Sequence, residues 1–228
     1  MKRLFSTYFT LFVVLSLAAL SGAACSTTTE TNRNSNAAVV GATPTPAASA
    51  SPTGTMSGMH GGMGGMQSSP DAEKAPYDLQ FIDTMTAHHQ GAIDMARMAE
   101  TKAQHAELKT FASRIIEDQQ REIGQMKTWR GSWYAGRPQA MNMEMPGMMD
   151  SMHGMDMVKM QAATGNDFDF MFLDMMTPHH AGATEMAREA LRRAEHPEIK
   201  RLAQQIIDAQ EKEIAQMNKW KAAWGNQS

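Results

Sequence analysis

Phe81-Ile-Asp-Thr-Met-Thr-Ala-His-His-Gln-Gly-Ala-Ile-Asp-Met95 recurs as Phe172-Leu-Asp-Met-Met-Thr-Pro-His-His-Ala-Gly-Ala-Thr-Glu-Met186, a constant 91 residues further on. The register continues without a gap through His105/His196, Met126/Met217, Trp129/Trp220 and Trp133/Trp224, so the chain is a tandem duplication. On a helix, Phe81, Met85, His88, Ala92, Met95 and Ala99 follow one another at steps of 4, 3, 4, 3 and 4 and draw one stripe down one face. Phe172, Met176, His179, Ala183, Met186 and Ala190 draw the same stripe in the second copy. Imidazole and thioether groups therefore point inward, where a purely structural helix carries Leu or Ile.

Each copy reads as a helical pair. Helices are expected over 76–102 and 107–134 in the first, and over 168–193 and 197–224 in the second, with Pro197 well placed at a first helical position. Leu108, Phe111, Ile115, Ile123, Met126, Trp129 and Trp133 give the second helix its apolar face. Gln119 and Glu122, recurring as Gln210 and Glu213, interrupt that face with groups able to hydrogen-bond an imidazole and set its tautomer. Pro178, just before His179, should kink the third helix or free a carbonyl near Asp174 or Thr177. One pair is too small to bury both faces, whereas two docked pairs make an all-α antiparallel four-helix bundle.

Outside the repeats the composition changes. Residues 1–24 have Lys2 and Arg3, an apolar run and then small residues, the layout of a secretory signal peptide. Cys25, the only cysteine, follows Ser21-Gly-Ala-Ala24 like the acylated cysteine of a lipoprotein, although Gly22 stands where the usual lipobox has Leu and would equally suit an ordinary signal peptidase. We expect export to the periplasm or cell envelope, with a lipid anchor at Cys25. A single cysteine excludes an intrachain disulfide framework. Residues 25–75, rich in Ser, Thr, Pro, Ala and Gly, read as a disordered tether that carries Met56, Met59, His60, Met63 and Met66. Residues 135–166 link the repeats (76–134 and 167–228) and hold Met141, Met143, Met145, Met148, Met149, Met152, His153, Met155, Met157 and Met160. Gly147, Gly154 and Pro146 argue against one continuous helix there. The formal charge of −3, without a basic stripe, points away from nucleic acid.

Thioether with imidazole is a donor set for Cu(I), and by the same argument Ag(I); Mg²⁺ and Ca²⁺ would want carboxylates. On a helix Met85 adjoins both His88 and His89, whereas Met95 lies about 10 Å beyond His88 and must pair with a facing helix. The Met runs of tether and linker are expected to act as flexible auxiliary sites. Duller readings stand beside these: Met126 and Met217 as core filler, His105 and His196 as helix caps, and the Met runs as sacrificial oxidation targets.

The repeated D-x-M-x-x-H-H-x-G-A-x-x-M-A-R, followed by I-I-x-x-Q-x-x-E-I-x-Q-M-x-x-W, resembles the bacterial domain-of-unknown-function family DUF305 over both copies. The resemblance implies a ferritin-like four-helix fold. Since the best-understood members are periplasmic copper-binding proteins, it also implies Cu(I) or Ag(I) ligation by Met85, His88, His89, Met95, Met176, His179, His180 and Met186.

The reading is therefore an exported, non-enzymatic buffer of soft monovalent copper, whose partners are the metal ion, a membrane through the anchor alone, and either a copper-transfer partner or a second copy. His ligation should weaken below about pH 6.5, where imidazole protonates. Two other functions compete. A metal-free envelope interaction module would use the Trp pairs for docking. A ferritin-like di-metal oxidase would need Glu three residues before its helical His, where this chain has Met85, Thr86, Met176 and Thr177.

Overall fold

The computed structural model describes residues 67–225. The expected leader, Cys25 and the tether residues Met56, Met59, His60, Met63 and Met66 lie outside them.

The apolar stripes become helices within a few residues of the expected limits: α1 (Tyr77–Lys102), α2 (Ala106–Trp133), α5 (Gly165–Arg193) and α6 (Pro197–Gly225), with short α3 (Met148–Met152) and α4 (Met157–Ala162) in the linker. α5 starts three residues earlier than the apolar pattern predicts. It also runs unbroken through Pro178, whose missing N–H and ring would each work against an interior turn. Among the described residues the fold is all-helical, and no helix is long and apolar enough to cross a membrane.

Three-residue turns fold α1 onto α2 and α5 onto α6, and the two hairpins join through α1 against α5. These two helices run antiparallel, because Asp78 at the start of α1 meets the end of α5, and Asp169 at the start of α5 meets the end of α1. Small side chains let the axes approach: Ala92, Ala96, Ala99 and Ala103, with their equivalents Ala183, Ala187, Ala190 and Ala194, are all buried. The repeats are thus related by a pseudo-two-fold axis passing between α1 and α5. α2 and α6 lie on one side of that central pair and face each other across open clefts.

The linker closes over α1 and α5. Asp83 accepts from the Ala140 N–H and from Arg130 Nε, and Thr84 Oγ1 accepts from the Asn142 N–H, which pins the linker to the first turns of α1. Gly147 then crosses α5 at Gly182 with φ 81°, so close that a Cβ on either glycine would lie within 2.4 Å of the other's carbonyl oxygen. Met143, Met145, Met148 and Met160 are buried here, which corrects the expectation that the linker's Met run is flexible. Their methyl-sulfur ends fill gaps between helices, a role an unbranched thioether suits. Met141, Met152, Met155 and Met157 are partly buried, whereas Met149 is 62% exposed. The tether also ends sooner than expected, since Ser68 and Ser69 hydrogen-bond to the main chain at Met143 and Met141.

Candidate metal centre

The helical spacing that turns His88 and His179 inward places them on the pseudo-two-fold axis. Their rings meet with centroids 3.7 Å apart and planes 33° from parallel. His89 and His180 flank them, each with its centroid 6.3 Å from its neighbour's. All four are at most 1% exposed, so neither member of either pair is a surface histidine.

The outer two meet carboxylates from the second helix of their own repeat. His89 Nε2 lies 2.6 Å from Glu122 Oε2. An ionised carboxylate only accepts, so Nε2–H donates and the Nδ1 lone pair is left facing the core, where it has no partner. His180 Nε2 lies 2.9 Å from Glu213 Oε2, but out of line for a hydrogen bond. Glu122 thus hydrogen-bonds a buried imidazole and Glu213 lies against one. By contrast, Gln119 and Gln210 are both buried, and neither side-chain oxygen has a hydrogen-bond partner.

The inner pair is more exceptional. No nitrogen of His88 or His179 is in hydrogen-bond geometry, although each ring lies near the other residue's main chain. Burial depresses the pKa of His88 well below the usual imidazole value, with His89 and His180 adding to the effect. His179 is depressed in the same way, by burial first and then by His88, His180 and His89. The folded chain therefore keeps both rings neutral below pH 6.5, and the acid weakening of His ligation should begin lower than the free imidazole value suggests. Each unpartnered buried imidazole costs about 1–3 kcal/mol, a cost that a ligand accepting their lone pairs would remove.

The thioethers sit on both sides of this quartet. Met85 and Met186 share one apolar cluster with Met126, and Met95 and Met176 share the other with Met217. Met95 thus falls in a buried cluster that also contains Phe172 and Met176 of α5. Among the described residues no three His, Cys, Asp or Glu side chains converge on one point, so nitrogen and oxygen donors alone do not close a site. The hydroxyls of Thr86 and Thr177 approach the sulfurs of Met126 and Met217 at 3.9 Å, in keeping with a packing role for those two methionines.

His105 and His196 turn out to be latches between the repeats. Asp169 accepts from the Gln104 and His105 N–H groups and lies 2.6 Å from His105 Nδ1, while Trp224 stacks on the imidazole at 3.8 Å. Asp78 does the same for Glu195 and His196, whose ring stacks on Trp133 at 3.9 Å. The sequence reading missed Asp78 and Asp169, although they recur at the same 91-residue offset as the two histidines.

A model of DUF305, described as a domain of unknown function, matches residues 78–221. Among solved structures, CopM in its Cu(I)-bound form is 42% identical over 64% of this chain and 96% of its own, with TM-score 0.56. CopM in an Ag-bound form gives 42% identity and TM-score 0.55 over the same share of each chain. A DUF305 protein from Streptomyces coelicolor is 29% identical over 66% of this chain and 93% of its own, with TM-score 0.59. No curated protein matches the chain. With both repeats and the paired histidines inside the matched span, the chain belongs to the DUF305 family.

Proposed function

We propose that this protein binds soft monovalent copper, and silver in its place, through His88, His89, His179 and His180 together with Met85, Met95, Met176 and Met186. It holds the ion without turnover, as an exported and lipid-anchored buffer for metal tolerance of the envelope. The observation that carries this reading is the contact of two neutral, unpartnered imidazoles at the pseudo-two-fold axis. Such a pair is unfavourable in a metal-free core and favourable once its lone pairs meet a cation. The similarity to CopM, solved with Cu(I), Cu(II) and Ag, agrees with it. The thioethers bias the site toward the softer, lower oxidation state. We read the scaffold as one antiparallel four-helix bundle of ferritin-like type, in which two repeats each contribute half of the site.

An anaerobic competition titration with Cu(I) tests this, comparing the parent with the H88A/H89A/H179A/H180A variant. Tight uptake by the parent, lost in a variant that retains its helical circular dichroism, is the expected result. Equal affinity in both would move the site to the Met runs, and no uptake by either would end the copper reading.

A further inference from the structure

The histidine quartet is sealed, so an ion needs a way in. On the linker side α3 lies on α5 and Gly147 sits directly on Gly182, and the cleft of about 410 Å³ beside them, lined by Pro178, Ala181 and Gly182, holds no carboxylate that meets a buried histidine. On the other side α2 and α6 are separated by two clefts of about 500 and about 460 Å³. Each has room for a cation with its first water shell, at about 30 Å³ per water.

The clefts are copies of one another. Glu122 and Gln125 of α2 face Leu202 and Gln205 of α6 in the first. Glu213 and Gln216 of α6 face Phe111 and Arg114 of α2 in the second. Those four pairs are equivalent residues at the 91-residue offset. Asp118 lines both clefts, and the charged residues lining each leave a net −1: Asp118 and Glu122 against Arg121, and Glu107, Asp118 and Glu213 against Arg114 and Lys212. In both, the glutamate at the wall is the residue that touches a buried histidine. Glu122 and Glu213 are 12% and 18% exposed, while the imidazoles they meet are fully buried. Each carboxylate therefore touches solvent on one side and the quartet on the other.

We infer that the two clefts are paired entry ports for the cation, with Glu122 and Glu213 as the transient first contacts that pass it to His89 and His180. This rests on the copper reading above. A hard carboxylate is a poor resting ligand for a soft monovalent ion, which suits a group that must attract the ion and then release it to imidazole and thioether. A fixed negative charge in a low-dielectric cleft also raises the local cation concentration and the rate of capture.

The test is stopped-flow loading of the metal-free protein with Cu(I) under anaerobic conditions, using Glu122→Gln, Glu213→Gln and the double variant. Gln keeps an oxygen that can accept from the imidazole N–H and removes only the charge. The double variant should load about tenfold more slowly at unchanged stoichiometry, with release slowed as well, so that affinity falls by less than the rate. Each single variant should lose roughly half of the parent's rate, because the other port stays open. Ala209→Phe, which narrows the Glu122 cleft while leaving every glutamate and histidine in the sequence, should slow loading as Glu122→Gln does. Unchanged rates in the double variant and in Ala209→Phe would overturn the ports. A loss of affinity in proportion to rate would also overturn them, by making the glutamates ligands. Absence of Cu(I) uptake by the parent would instead sink the copper reading, and the ports with it.

Discussion

His88 and His179 stay neutral in the folded chain because burial removes the water that would stabilise a charged ring. The sign of the stability effect follows. Above about pH 6.5 both folded and unfolded chains hold these rings neutral, and the pair contributes no pH dependence. Below it the unfolded chain takes up two protons that the folded chain refuses. Stability of the metal-free protein should then fall by about 3 kcal/mol per pH unit, until the depressed folded values are reached. Urea denaturation at stepped pH measures this slope, and a flat profile from pH 7 to 5 would contradict it. Replacing both rings with an apolar group of similar size removes the liability. H88L/H179L should match or exceed the parent by about 1–3 kcal/mol at neutral pH, lose the acid slope and fail to bind Cu(I). Such a trade between stability and binding marks a site held open for a ligand.

α5 carries Pro178 where α1 has Ala87. The ring's lost hydrogen bond to Asp174 and its steric conflict cost about 3 kcal/mol in an ordinary helix interior. Because α5 remains continuous, Pro178→Ala should recover part of this, about 1–3 kcal/mol in a thermal or urea melt, while Ala87→Pro should lose a similar amount. If Pro178→Ala lowers stability instead, the proline is relieving strain beside His179. The crossing of the linker over α5 depends on the absence of a side chain. A Cβ at residue 182 would lie 2.3 Å from the Gly147 oxygen and 2.4 Å from Ser151 Cβ. Gly182→Ala should therefore displace α3 and cost about 1–3 kcal/mol, read as a Tm lower by several degrees.

The two repeats are held together by a reciprocal exchange: Asp78 of the first secures the α5–α6 turn, and Asp169 of the second secures the α1–α2 turn. Truncating either carboxylate strands two main-chain N–H groups and an imidazole. Asp78→Ala and Asp169→Ala should each cost about 3 kcal/mol. Lying at opposite ends of the α1–α5 pair, they should add, for about 6 kcal/mol in the double variant. That is a large share of the 5–15 kcal/mol typical of a domain. Denaturation of the two single variants and the double one checks both size and additivity, and unequal single costs would break the pseudo-symmetry claimed for the latches.

Helices, duplication and the inward His/Met stripe were legible in the residues, because helical period and a 91-residue offset are local or self-referring patterns. The inward placement of Glu122 was legible too, but its reach to His89 was decided by how the two helices of the pair pack. What else required the tertiary structure is everything that crosses between repeats. The stacking of His88 on His179 depends on the antiparallel register of α1 against α5, and periodicity within one helix says nothing about its position along a partner. The burial of Met143, Met145 and Met148 has the same origin. A linker of Gly, Pro and Met reads as loose chain until a groove at Gly182 and the polar staples at Asp83 and Thr84 give its thioethers a surface to pack on. Local sequence specifies which face of a helix is apolar; only packing decides which other face meets it and at what height.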